Sequence, residues 1–289
     1  MRVVDAHHHL WDPEIGEYPW MTGDFEPLRR RYDVTDLLPH LVANGVAATI
    51  VVQVRADLAE TVDLLELASC TPEVVGVVGW VDLTSTDVAG QVDRLRGGIG
   101  GEHLVGLRHA VADESDPSWL LREDVDAAMR EVAASGLTFD LEITSRELPA
   151  ATTLVRRHAD VRFVLDHGAK PPVAEGWSQR WADGVCTLAE SPNVWCKLSG
   201  LVTEASWSEW RTADLQPYVD HLLGAFGVSR ALFGSDWPVC ELAAPYDQVV
   251  AAAVESLSAL DDGDRRKIMY DNALNVYRPS RISLGEVHS

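Results

Sequence analysis

The chain of 289 residues is 46% hydrophobic and 24% charged, an ordinary globular composition that excludes a collagenous, wholly disordered or disulfide-stapled protein. With 24 Lys and Arg against 45 Asp and Glu, its formal net charge is −21, which excludes nucleic acid and anionic membrane as partners and favours a neutral small molecule. The N-terminal MRVVDAHHHLWD has no apolar leader and no stretch reaches about 18 apolar residues, so a soluble, cytoplasmic protein is expected, with a homodimer left open.

In chain order, eight short runs rich in Val, Ile, Leu and Phe are expected to be strands: Val3–His9, Ala48–Val54, Val74–Trp80, Leu104–Ala110, Thr138–Ile143, Val161–His167, Asn193–Ser199 and Ala231–Asp236. Most are almost continuously apolar, as in strands covered on both faces. Amphipathic segments separate them. The spacing predicts helices over Val34–Asn44, Leu58–Cys70, Asp87–Arg96, Trp119–Ser135, Glu147–His158, Trp177–Ser191, Ala213–Phe226 and Tyr246–Leu260, with a last one at Asp264–Tyr277. Several stop at a Gly or before a Pro, as helices do. Strand and helix alternating eight times predict an α/β protein, a single-domain (β/α)8 TIM barrel over residues 1–289 with an extra C-terminal helix and a frayed tail from Ser280. An open doubly wound sheet would carry a Gly-rich turn after its first strand, where this chain has His9-Leu10-Trp11-Asp12. The Pro- and Trp-rich segment Asp12–Tyr32 is a long first loop, of the kind that binds or covers a site. The four cysteines are far apart and form no CxxC pair; Cys186, Cys196 and Cys240 lie in apolar stretches and are expected to be buried thiols.

Barrel sites form at the C-terminal ends of strands, and six of the eight ends carry polar side chains. His7 and His9 are two apart on the first strand and share a face, with His8 on the other; paired imidazoles suit a divalent ion such as zinc. Asp236 ends the neighbouring eighth strand, where a carboxylate can reach the same ion and take a proton from its water; a turn residue before Trp237-Pro238 is the alternative. Asp140 and Glu142 share a face on the fifth strand. Glu142, nearer the mouth, is expected as a further metal ligand or as an ion-pair partner of Arg108 or Lys197. His167 ends the sixth strand and is free to ligate the metal, polarise a carbonyl or bond to Asp166. Arg108, His109 and Lys197 are expected to bind substrate, Lys170 either to do so or to be a loop lysine. Trp11, Trp20, Trp80 and Trp237 wall a pocket or fill the core.

Four segments, Val4-Asp5-Ala6-His7-His8-His9-Leu10-Trp11-Asp12, Phe163–Pro171, Cys196–Leu201 and Phe233–Cys240, together resemble the amidohydrolase-related family. The most similar branch contains L-fuconolactonase and L-rhamnonolactonase-like barrel hydrolases, and the likeness runs from Val3 to about Tyr277. It implies a distorted barrel that hydrolyses a carbonyl with an activated water. His7 and His9 match the family's metal motif, His167 the strand-six histidine and Asp236 the strand-eight aspartate. Position 8 is His where the branch often has Gln, and Glu142 stands where many relatives carry an apolar residue, which favours firmer metal binding here.

The resulting expectation is a lactonase of carbohydrate metabolism. It opens a sugar-acid lactone with water activated on one divalent ion, zinc, held by His7, His9, Asp236 and Glu142. Asp236 and His167 are the expected catalytic residues, and Arg108, His109, Lys197, Trp237 and Trp20 the expected substrate contacts. Two alternatives stand beside it. A decarboxylase of the same superfamily would use Arg108 and Lys197 for a substrate carboxylate, and a non-catalytic binding barrel would have no need of His7, His9 and Asp236 together.

Overall fold

A computed structural model describes residues 2–280. Eight parallel strands form one sheet in sequence order: β1 Val3–His8, β2 Val46–Val52, β3 Val74–Gly79, β4 Leu104–Ala110, β5 Thr138–Glu142, β6 Arg162–Leu165, β7 Val194–Leu198 and β8 Ala231–Phe233. Backbone bonds from His9 N to Trp237 O (2.7 Å) and from Asp236 N to His7 O (2.8 Å) bring the two ends of the sheet together. The expected (β/α)8 barrel is therefore what forms. Residues 281–289 of the expected tail lie outside the described residues.

The helices between the strands are α1 Val34–Asn44, α2 Leu58–Cys70, α3 Val88–Gly97, α4 Glu123–Ser135, α5 Leu148–Arg157, α6 Gln179–Ala189, α7 Thr212–Phe226 and α8 Tyr246–Ser256. Local chemistry sets their ends. Asp33 caps α1 by accepting from Thr35 N and Asp36 N, and Gly45 closes it in the left-handed region at φ 64°. The helix expected over Trp119–Ser135 divides instead, because Arg122 is extended (ψ 146°) between a 3-10 turn at Trp119–Leu121 and α4. A last segment joins α9 Asp262–Arg266 and α10 Asn272–Tyr277 through a π turn at Lys267–Asp271.

This last segment closes the bottom of the barrel. Tyr270, Ala273, Leu274, Val276 and Tyr277 pack with the inward Val4, Ala6, Ala48, Ile50, Val52, Val78 and Leu232 in one buried cluster. The outward faces of the strands, such as Val51, Val77 and Phe139, pack under the helices. Each such aliphatic side chain removed from water contributes about 1.5–3 kcal/mol before entropy is counted. Above the apolar plug the barrel interior turns polar, and the site begins there.

Candidate active site at the barrel mouth

On β1 the register against β2 slips between Asp5 and His8. Asp5 turns outward, accepting from Tyr246 Oη (2.9 Å), Ser235 Oγ (2.6 Å) and Ser235 N (2.8 Å), and so pins the turn after β8. His7 and His9 turn inward, with their Nε2 atoms 3.0 Å apart. His8 faces the other way, fully buried, and neither ring nitrogen has a partner. Burial lowers its pKa to about 3.

The chain leaves β6 and β8 earlier than expected, at Leu165 and Phe233, and the next residues adopt left-handed backbone: His167 at φ 51° and Asp236 at φ 59°. Such conformations cost a non-glycine residue about 1–3 kcal/mol and persist only where the surroundings fix them. Here the turns aim both side chains across the mouth. Asp236 Oδ1 lies 3.7 Å from His7 Nε2, 3.5 Å from His9 Nε2 and 3.9 Å from His167 Nε2. Gly200, at φ 65°, makes room for them: a Cβ there would stand 2.6 Å from His167 Nδ1 and 3.2 Å from Asp236 Oδ2.

Among the described residues, two groups of donors have the spacing of a metal site: His7, His9 and Asp236, and His7, Asp166 and His167. The first fits a tetrahedral zinc well. Bonds of 2.0–2.2 Å give donor separations of roughly 3.3 Å, and the observed separations run from 3.0 to 3.7 Å. His9 Nδ1 must donate to the Val52 carbonyl (2.8 Å), which leaves its Nε2 lone pair aimed at the cluster. Burial lowers the pKa of His9 to about 3, with Arg108 acting in the same direction, so the ring is neutral and able to ligate. His7 Nδ1 sits between Lys197 Nζ (3.0 Å) and Asp166 Oδ1 (3.4 Å). A proton on Nδ1 would face Asp166 Oδ1, which has no well-aligned donor, and would free Nε2 for an ion. A proton on Nε2 suits donation to His9 instead, with Lys197 donating to Nδ1.

Beneath the donors lies a buried charge network. Lys197 Nζ is 2.7 Å from Asp140 Oδ2 and 2.8 Å from Asp166 Oδ1, and Tyr277 Oη of α10 donates to Asp140 at 2.6 Å. Arg108 reaches Asp166 Oδ2 at 3.3 Å and the Gln53 carbonyl. Burial opposes charge on Asp166, but Lys197, His7 and Arg108 outweigh it and hold the carboxyl well below its usual range. Asp140 is pushed up to about 6 by burial, with Lys197 offsetting part of the shift.

Above the donors a cavity of about 340 Å³ opens to solvent. Its wall includes His9, Arg108, Glu142, His167, Lys170 and Asp236, and the first loop brings in Trp20 and Phe25. Glu142 thus reaches the mouth, but it belongs to neither donor group; Lys170 takes its Oε1, and its Oε2 is buried without a hydrogen-bond partner among the described residues. Burial opposes its charge, yet Lys170 and Arg108 outweigh that and lower its pKa. The ion pair weighed for Glu142 therefore forms with Lys170, not with Arg108 or Lys197.

Three expected substrate contacts are not brought to the cavity wall. His109 alternates outward from Arg108, stacks on Trp119 (4.2 Å between centroids) and bonds to Glu114 and the Trp80 indole. Trp237 is buried against Tyr32 and donates to Glu241. Lys197 lies under the histidines with no exposure. Cys186, expected to be buried, is exposed on α6, whereas Cys196 and Cys240 are buried. Conversely, Asp113 and Glu204 line the mouth from loops after β4 and β7, and inspection of the strand ends alone passes over them. The signal both carry in the sequence is an acidic residue in the loop directly after a barrel strand.

The family model described as Amidohydrolase matches residues 4–278. An L-fucono-1,5-lactonase of Burkholderia multivorans is 39% identical over 95% of this chain and 95% of its own. An L-fucono-1,5-lactonase of Burkholderia ambifaria is 36% identical over 99% of this chain and 98% of its own. Among solved structures, an amidohydrolase from Burkholderia multivorans with bound Zn superposes with a TM-score of 0.90 at 36% identity, covering 96% of this chain and 100% of that one.

Proposed function

We propose that this chain, which belongs to the amidohydrolase family, is a hydrolase of carbohydrate metabolism that opens a sugar-acid lactone of the L-fucono-1,5-lactone class. The observation that carries the reading is the full-length likeness to two fuconolactonases in a chain whose mouth gathers His7, His9, His167 and Asp236. No described helix is long and apolar enough to cross a membrane, and the cavity suits a small, neutral, hydroxyl-rich molecule.

His7, His9 and Asp236 would hold a divalent ion, zinc by the nature of the donors and by the Zn in the Burkholderia multivorans structure. When bound, the ion supplies positive charge that acidifies a water and polarises a carbonyl. The chain's own residues do the rest. Asp236 accepts the proton of the attacking water. His167, whose Nδ1 is fixed 2.9 Å from Ser199 Oγ, turns Nε2 toward the reacting carbonyl oxygen. Burial lowers the pKa of His167, although Asp236 pulls it up. Arg108 keeps Asp166 charged under His7 and adds positive potential at the oxyanion. Glu142 and Lys170, paired with each other, face the sugar hydroxyls, and Trp20 offers a ring face to the sugar's CH groups.

A decarboxylase would need a free cation for a substrate carboxylate. Arg108 is held by Asp166 and Gln53, Lys170 by Glu142, and Lys197 is buried beneath the donors, so no observation favours that reading. Turnover of a panel of aldonolactones, followed by acid release, tests the assignment. The L-fucono-1,5-lactone class should be hydrolysed fastest, and a panel with no turnover would remove it.

A further inference from the structure

Every carboxylate deep in this site is tied to a cation or an imidazole, and two at the rim are left out, the exposed Asp113 and the half-buried Glu204. Asp140 and Asp166 meet Lys197, Glu142 meets Lys170, and Asp236 faces His7, His9 and His167. Glu204, half-buried on the loop after β7, lines the same cavity, yet its carboxyl makes no ion pair or hydrogen bond among the described residues.

The loop that carries Glu204 is ordered. Ala174 N donates to the Glu204 carbonyl at 2.8 Å, and Thr203 bonds to the Gly200 carbonyl through N (3.1 Å) and Oγ1 (2.6 Å). The side chain is therefore held toward the mouth while its carboxyl is left without a partner. The charged groups facing it are Lys170 after β6, Glu142 on β5 and Asp236 after β8. Burial raises its pKa to about 7; Lys170 pulls it down, and the charges of Asp236 and Glu142 push it up. Burial raises the pKa of Asp236 as well, with His167, Lys170 and Arg108 offsetting it; two carboxyl groups on one cavity, one placed to take a proton and one to give it, are the arrangement by which one site runs acid and base chemistry together.

We propose that Glu204 is a catalytic acid of this site, donating a proton to the ring oxygen as the lactone opens. The assignment rests on the lactonase reading above. Water gives one proton to Asp236 while its oxygen bonds to the carbonyl carbon. The bond from that carbon to the ring oxygen then breaks, the electron pair stays on the ring oxygen, and the Glu204 proton moves there. The new carboxylic acid returns a proton to Glu204, and Asp236 gives its own to solvent. One lactone and one water thus yield a hydroxy carboxylate and one proton.

The test compares wild type and Glu204→Gln on an aldonolactone across neutral pH, after subtraction of spontaneous opening. Wild-type kcat should fall above about pH 7, where Glu204 loses its proton. Glu204→Gln should lose about 100-fold in kcat with little change in KM, and its remaining rate should lack that alkaline fall. Glu204→Asp, which keeps a proton to give, should recover part of the rate. A Gln variant within threefold of wild type, or one with reduced activity but the same alkaline fall, would overturn the acid role while leaving the lactonase reading intact. Wild type inactive on every aldonolactone would remove both. Thermal melting of the variant reports separately whether it folds, and a partner-free rim side chain is expected to leave Tm unchanged.

Discussion

Asp236 and His8 show how differently two buried polar residues can be used. Asp236 reaches the donor cluster because its backbone is left-handed and Gly200 opposite it has no side chain. Asp236→Asn keeps the shape and removes the negative charge and the proton acceptor. It should lower kcat/KM by about 1,000-fold with the far-ultraviolet spectrum unchanged. His8, between the two ligands on the same strand, has no hydrogen-bond partner for either ring nitrogen among the described residues. Its pKa is about 3 in the fold against 6.5 for an ordinary imidazole. Between those values the unfolded chain binds more protons than the folded one. The stability linked to His8 is therefore fully present above about pH 6.5 and is lost as pH falls toward 3. The slope for one such group is at most about 1.4 kcal/mol per pH unit. His8→Gln should flatten the loss of Tm between neutral and acid pH, read by calorimetry at several pH values.

At the scale of the element, strand ends and the turns after them divide the work. Strands β6 and β8 hand over to left-handed turns, and those turns, rather than the strands, aim His167 and Asp236. Gly200→Ala would press a methyl group against both side chains in a backbone conformation that alanine resists. A displacement on the order of 1 Å at reacting groups costs about 100-fold, and kcat/KM is expected to fall at least that far. The C-terminal helix is a second working element. It plugs the barrel with apolar side chains and sends one polar atom upward, Tyr277 Oη, to Asp140 beneath Lys197. Tyr277→Phe leaves that carboxylate short of a donor and should cost about 1–3 kcal/mol of stability in urea unfolding. The alternation rule was readable for Arg108 and Asp140, which point inward, and it also explains why His109 points out to Trp119. Lys197, expected at the mouth as a substrate contact, points inward but lies below it, because position on a strand says nothing of depth along the barrel.

Across the whole molecule, the formal charge of −21 surrounds a site whose proposed reaction converts a neutral lactone into an anion. Such a field leaves a neutral lactone alone and disfavours rebinding of the aldonate, within a screening length of about 8 Å at physiological salt. Product inhibition should therefore strengthen a few-fold as ionic strength rises from low to physiological values, while kcat/KM for the lactone stays flat. Inhibition by added aldonate measured across a salt series checks both.

The amino-acid sequence alone determined the barrel, since eight apolar runs and eight amphipathic segments, with helix ends at Gly45 and Gly136, leave the chain few other ways to bury its apolar surface. It also put His7, His9 and Asp236 at strand ends that become neighbours once the barrel closes, whereas the register slip on β1 and the left-handed turn after β8 decided that they face one another. Only the tertiary structure decided who pairs with whom. Lys170 rather than Arg108 takes Glu142, Lys197 sinks beneath the histidines, and Glu204 is left alone at the rim. The physical reason is that electrostatic partnership depends on distance and on how much water has been removed. Both are set by loops and strand depth contributed from the whole circumference of the barrel, which no single segment of the chain encodes.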